Sequence, residues 1–189
     1  PWTLLCNLAI AISKDIKYII LKENNELFII AANLFNKFKF KRVKIVKFIW
    51  GSDLLGISYI LLFNYLTCAN NKAFSIINGD FVSSNEGTGI VHLSPSFGES
   101  DRQLCLKYGI ITSCPVNSEG KFTCPINNYL GQHIFYTNKK IINLILKKNL
   151  SIRLEQYVHK YPHCWRTDKP LIYKTISSWY IKVSNIKKY

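Results

Sequence analysis

Asp101 stands where a helix is expected to begin, and a carboxylate there is held in its charged form by the helix N-terminus, able to anchor a cation. The ordinary reading of such a residue is a helix cap. His92 lies on an expected strand and carries an imidazole that changes charge near neutral pH, although a strand histidine is by default satisfied and half-buried. His159, His163 and Cys164 invite a zinc reading, but their spacing lacks a fourth ligand, so no metal is expected. Six cysteines (Cys6, Cys68, Cys105, Cys114, Cys124, Cys164) show neither a CxxC spacing nor the histidine pairing that thiolate catalysis needs, and reduced thiols are expected. There is no Walker loop, no GxSxG elbow and no HExxH helix. Gly87-Thr88-Gly89 is too short for a dinucleotide fingerprint and precedes a strand rather than a helix, so no cofactor is expected.

The elements that must position these residues are legible in part. Ile16 to Lys22 and Glu26 to Ala31 read as strands joined at Asn24-Asn25. Lys37 to Lys47 interleaves lysines with Phe38, Phe40, Val43 and Ile45, which suggests a strand with one solvated face and a lesser chance of phosphate contact. Gly51 and Gly56 mark a loop before the apolar Ile57 to Leu66. Ala73 to Ile77 and Phe81 to Ser84 are expected strands around the turn Asn78-Gly79-Asp80, and Thr88 to Leu93 another. A loop over Ser94 to Gly98 then leads into a helix from about Ser100-Asp101 to Gly109. Apolar residues at 141, 142, 145 and 146 predict an amphipathic helix over Asn138 to Lys148. Ile152 to Val158 and Leu171 to Val183 again read as strands. The fold class is α+β, a β-rich, barrel-like core with a few peripheral helices.

The 189 residues suffice for a real core, and 48% hydrophobic content excludes disorder. No apolar stretch approaches the roughly 18 to 20 residues of a membrane span. A net charge of +14 favours a polyanionic partner. Lysine outnumbers arginine 21 to 4, beside 26 Ile and 17 Asn, so part of that excess is what an AT-rich genome would give. The absence of any methionine suggests a piece of a longer protein.

The string Gly87-Thr88-Gly89-Ile90-Val91-His92-Leu93-Ser94-Pro95-Ser96-Phe97-Gly98-Glu99-Ser100-Asp101 resembles the motif of the editing domain inserted in isoleucyl-tRNA synthetases. That family has a GTG-hydrophobic-Val-His strand, a loop with Pro and Gly, and an Asp at the spacing of Asp101 from His92. Pro1-Trp2-Thr3-Leu4 is similar to the stretch that opens the insertion, with Asn7 also in place, and His159 to Tyr173 with Ser178-Trp179-Tyr180 is similar to its closing segment. Gly51 to Phe63 and Pro115-Val116 also fit, so the resemblance covers residues 1–189 in order, with about 159–189 as the connection to an absent catalytic domain. The valyl type of insertion usually has Lys where His92 stands, and valyl and leucyl types carry His-Asp where Phe97-Gly98 stands. The resemblance is therefore to the isoleucyl type, closer to the eukaryotic cytosolic and archaeal branch. HIGH and KMSKS, the signatures of the ATP-dependent activation site in class I synthetases, are absent from this chain.

The resemblance implies hydrolysis of Val-tRNA(Ile), with valyl-adenylate as a further substrate, in a cytoplasmic synthetase whose partners are the tRNA(Ile) acceptor end and the rest of the parent enzyme. It assigns Asp101 to the substrate ammonium and His92 to a size filter. Trp2 and Thr3 would line the pocket, with core packing as their ordinary reading. Gly87, Thr88 and Gly89 would admit the terminal adenosine, with a tight turn as the alternative. Ser94 stands where the family usually has Ala, adding a hydroxyl near the pocket, and Leu5 and Cys6 replace the usual Pro and Ser. The threonines that precede the opening stretch in the family are not in this chain. A positioned water is the expected nucleophile and a monomer the expected state. Two other readings stay open: a non-catalytic basic RNA-binding insert, and a structural insert with a decayed pocket.

Overall fold

A computed structural model describes residues 1–187 except 39, 41, 69, 71, 112, 113 and 157. Its first layer is a three-stranded sheet with β1 (Ala9–Ile12) at the centre, β5 (Ile76–Asn78) parallel on one side and β6 (Val91–Leu93) antiparallel on the other. Leu8, Ala9, Ala11 and Ile12 are all buried, as a central strand covered on both faces requires. The second sheet has the order β3-β2-β4, from β2 (Lys17–Glu23), β3 (Glu26–Ala31) and β4 (Lys44–Trp50). Asn24 and Asn25 both take positive φ (47° and 67°), the backbone of a two-residue turn whose twist matches its flanking strands.

Two helices complete the mixed α+β fold: α1 (Glu99–Lys107) and α2 (Ile134–Lys147). One core lies where Leu5, Leu8, Leu93, Cys105, Phe122, Ile134 and Ile141 meet, joining both helices to the first sheet. A second joins the sheets, with Ile12 and Ile10 against Tyr18, Ala31, Ile49 and Leu54. The strands pair as two three-stranded sheets, and no barrel closure is drawn from these pairings.

Several sequence expectations shift. Among the described residues of 37–47, which leave out 39 and 41, the strand begins at Lys44. Ala32–Lys37 forms a 3-10 helix, and Phe35, Phe38 and Phe40 stack over the outer face of Ile19, Leu21 and Ile30. Burying three rings outweighs an alternation pattern that has no free strand to pair with. Phe81–Ser84 is not a strand; Val82 turns inward as the chain closes a bend on Gly79. Among the described residues 152–158 and 171–183 hold no strand, and the nearest pairing is the isolated bridge His163↔Pro170. Val158 and Trp179 are almost fully exposed, so these alternating apolar residues lack the neighbouring surface that would make them a sheet. Helix α2 starts at Ile134 rather than Asn138, because full burial of Ile134 and Thr137 overrides the weak propensity of the turn Phe135-Tyr136-Thr137.

Gly89 ties the two sheets. Its φ is +73°, a Cβ there would lie 2.5 Å from the Cβ of Ala31, and its carbonyl accepts the buried Tyr18 hydroxyl at 2.7 Å. Gly89→Ala is expected to cost about 2–4 kcal/mol from strain and overpacking together. Chemical denaturation would read this as a lower midpoint; an unchanged midpoint would contradict the close approach.

Candidate functional site

His92 sits mid-β6, opposite Ile10 of β1. Its Nε2 is 3.4 Å from Thr3 Oγ1, which reaches it from a 3-10 helix, Trp2–Cys6. That helix is held from outside by Asn138 of α2, whose side-chain oxygen accepts the Trp2 N–H at 3.0 Å. The first turn of chain, the edge strand and the second helix thus converge on one imidazole. Its Nδ1 is buried and has no partner.

The imidazole forms part of the wall of a cavity of about 220 Å³, otherwise lined by Leu4, Asn7, Ile10 and the run Tyr59–Phe63. Tyr59 fixes that run by a short hydrogen bond to the Asn7 side-chain oxygen, while Asn7 Nδ2 donates to the Ala9 carbonyl at 2.8 Å. Apart from His92, Asn7 and Tyr59 the wall is aliphatic and aromatic, suited to an apolar group steered by few polar atoms. A space this large admits any branched aliphatic side chain whole. Discrimination by size must come from where the imidazole stands within it.

Asp101 occupies the third position of α1, three residues after the Gly98 N-cap. Its Oδ2 accepts the Ser94 N–H at 2.8 Å, so it works as a clamp on the loop 94–98 rather than as a cap of its own helix. Gly98 leaves room for it, since a Cβ there would meet the carboxylate at 3.0–3.2 Å. Asp101 is not in the wall of the His92 cavity. Its bond to the Ser94 N–H holds the carboxylate at the exit of β6 instead. The two groups still sense each other, because the carboxylate raises the His92 pKa against a larger lowering by burial.

Ser94 is buried and its hydroxyl donates to the Cys6 carbonyl at 3.2 Å, so the added oxygen is spent on backbone. Trp2 packs edge-on to Phe97 at 4.5 Å between centroids, also meets Phe122, and is absent from the cavity wall. The Thr88 hydroxyl bonds locally to the Ile90 carbonyl at 3.2 Å and its own carbonyl accepts the Ala31 N–H at 2.9 Å, while the residue borders a groove of about 390 Å³ that shares Leu4 and Leu62 with the His92 cavity. Gly87 has φ +57° and open space around it, and Gly89 is accounted for by packing. Sequence reasoning missed Tyr59 and Leu62 as wall residues. The only signal was a general fit of residues 51–63, because contact across fifty residues leaves no periodicity to read.

Burial raises the thiols of Cys6 and Cys105, the latter to about 12, which makes them inert. Hydrogen bonds from Thr167 and the Arg166 backbone lower that of Cys164, which lies on the 163–170 loop. Among the described residues no group of three or more His, Cys, Asp or Glu is arranged to hold a metal. His163 Nδ1 lies 2.9 Å from the Tyr161 carbonyl and His159 stands edge-on to Tyr161.

Burial holds the His92 pKa below its ordinary 6.5, so the unfolded chain takes up this proton first as pH falls. The His92 contribution to stability is intact above about 6.5 and is lost as pH drops from there toward the depressed native value. Thermal melts at pH 7.5 and 5.5 should show a smaller drop for His92→Gln than for the natural chain. Equal drops would contradict the buried neutral imidazole.

No family model matches the chain. Isoleucine–tRNA ligase of Rickettsia peacockii (strain Rustic) is 44% identical over 99% of the chain, and that of Ehrlichia ruminantium (strain Gardel) 43% identical over 99%. The chain belongs to the isoleucine–tRNA ligase family. It spans 17% and 18% of the length of these two ligases. Their sources lend no support to a eukaryotic cytosolic or archaeal type of isoleucine–tRNA ligase. The fold is that of GlLeuRS-CP1, with TM-score 0.63 at 16% identity over 84% of this chain and 82% of that one. The editing domain of the P. knowlesi cytosolic leucyl-tRNA synthetase follows at TM-score 0.54 and 14% identity over 79% of each chain. This segment of the isoleucine–tRNA ligase family thus carries a synthetase editing-domain fold. Among its described residues no helix is long and apolar enough to cross a membrane.

Proposed function

We propose that this chain is the editing domain of an isoleucine–tRNA ligase and hydrolyses the ester of Val-tRNA(Ile), with valyl-adenylate as a second substrate. A site that binds isoleucine gains little over valine from one methylene, and isoleucyl-tRNA synthetases are themselves the usual illustration of that limit and of the second, hydrolytic sieve that answers it. The observation that carries the reading is His92 in the wall of an apolar cavity, with the Asp101 carboxylate close enough to perturb it. The valine side chain enters beside His92. Its ammonium group pairs with Asp101, which keeps one oxygen on the Ser94 N–H and offers the other. The ester then stands at a fixed place for a water molecule, assisted by the terminal ribose hydroxyl of the tRNA. The groove beside Thr88, joined to the cavity through Leu4 and Leu62, accepts the terminal adenosine.

Residues 159–189 lead back to the catalytic domain of the parent ligase, which works in the cytoplasm, and the chain itself is a monomer. Incubating Val-tRNA(Ile) with the parent ligase should release valine, while correctly charged Ile-tRNA(Ile) survives. Equal survival of both esters would overturn the reading in favour of a non-catalytic RNA-binding insert.

A further inference from the structure

The wall that faces His92, residues 59–63, belongs to neither sheet, and little backbone holds it. The Tyr59 N–H donates to the Phe74 carbonyl at 3.2 Å, and among the described residues 60–63 make no backbone hydrogen bond. Ile60 is 96% exposed, while Phe63 stacks on Tyr65 and packs against the first core. The remaining tie is polar. The half-buried Tyr59 donates its hydroxyl to the Asn7 side-chain oxygen, and burial pushes the phenol up against a lowering by that bond, so the proton stays on as donor. Asn7 in turn donates from Nδ2 to the Ala9 carbonyl at 2.8 Å and to the Leu93 carbonyl at 3.4 Å. Leu93 is the neighbour of His92 on β6. One amide, with its oxygen and both of its N–H donors in use, therefore ties the wall to the strand that carries the imidazole.

A cavity of about 220 Å³ can separate valine from isoleucine only through the gap between the imidazole and what stands against it. His92 is one side of that gap, set by Thr3 and by its pairing with Ile10. The other side is a run of side chains without a strand ladder, and a small outward shift of it would make room for one more methylene. A half-buried phenol bonded to a neighbour is ordinarily no more than a satisfied polar group. Here both partners of the bond line the cavity itself, so the length of the bond is a dimension of the pocket. We infer that the Tyr59 hydroxyl is a specificity-determining group, which through Asn7 holds residues 59–63 at the spacing from His92 that valine fits and isoleucine exceeds. The inference rests on the proposed hydrolysis of Val-tRNA(Ile) and gives its sieve a second jaw.

Deacylation of Val-tRNA(Ile) and Ile-tRNA(Ile) by the parent ligase and by its Tyr59→Phe variant tests it. The substitution removes only the oxygen and keeps the ring in the wall. Hydrolysis of Ile-tRNA(Ile) should rise, and discrimination between the two esters should fall about tenfold, the lower end of what one methylene is worth in a tight pocket. A gain on the larger ester is something a folding defect does not produce. Asn7→Ala should lose discrimination as well, and the Tyr59→Phe/Asn7→Ala double variant no more than Asn7→Ala alone, since each removes the same bond. Losses that multiply would overturn the route through Asn7. If the natural ligase discriminates and Tyr59→Phe discriminates equally well, the inference fails while the proposed function stands. If the natural ligase hydrolyses neither ester, both fall.

Discussion

Asp101→Ala in the parent ligase is expected to lower deacylation of Val-tRNA(Ile) by about a hundredfold to a thousandfold, the scale on which losing one partner of a desolvated charge pair is felt. Two effects combine in it. The substrate ammonium loses its counter-charge, and the loop 94–98 loses the 2.8 Å clamp on the Ser94 N–H. Asp101→Asn separates them, since its amide oxygen can still accept from Ser94 while the negative charge is gone. Activity in Asn as low as in Ala assigns the effect to charge. Recovery in Asn assigns it to loop geometry. Unchanged hydrolysis in Asp101→Ala, measured by release of labelled valine, would contradict any role for this carboxylate in the reaction.

The second large effect is expected at His92. With about 220 Å³ beside it, the cavity does not exclude isoleucine by total volume, so the imidazole must do so by position. His92→Ala should admit isoleucine and turn Ile-tRNA(Ile) into a substrate, with discrimination between the two esters falling by about ten- to two-hundredfold, the worth of one methylene in a tight pocket. Hydrolysis of Val-tRNA(Ile) should fall far less, because Asp101 still anchors the ammonium. The measurement is the ratio of deacylation rates for the two charged tRNAs. A variant that loses activity on both without changing the ratio would make His92 a structural residue, held by Thr3 and Ile10 for packing.

How much of this was legible in the sequence depends on how local each determinant is. The β2–β3 hairpin was, because Asn24-Asn25 supplies the two positive φ values its turn needs. Helix α1 was, since Gly98 and Gly109 bracket it and place Asp101 in its first turn. The strand with His92 shrank to Val91–Leu93, because Thr88 and Gly89 are bound to the second sheet through Ala31 and Tyr18 instead.

The segment 37–47 and the tail beyond 150 misled for one reason. Alternating apolar residues say that a strand is possible, and only a neighbour makes it one. The site divides in the same way. The string from Gly87 to Asp101 named its two polar groups, but the wall that faces His92 comes from residues 59–63 and Asn7, which no spacing connects. The clamp between Asp101 and Ser94 was likewise invisible, since a carboxylate at a helix start reads as a cap until its partner is seen.

A co-crystal of the parent ligase with a non-hydrolysable valyl-adenosine analogue bears most directly on the account. The isopropyl group should rest against His92, inside the wall formed by Leu4, Ile10 and Phe63, with the ammonium within hydrogen-bond reach of an Asp101 oxygen. An analogue bound elsewhere, with the His92 cavity still empty and Asp101 bonded to Ser94 alone, would contradict it.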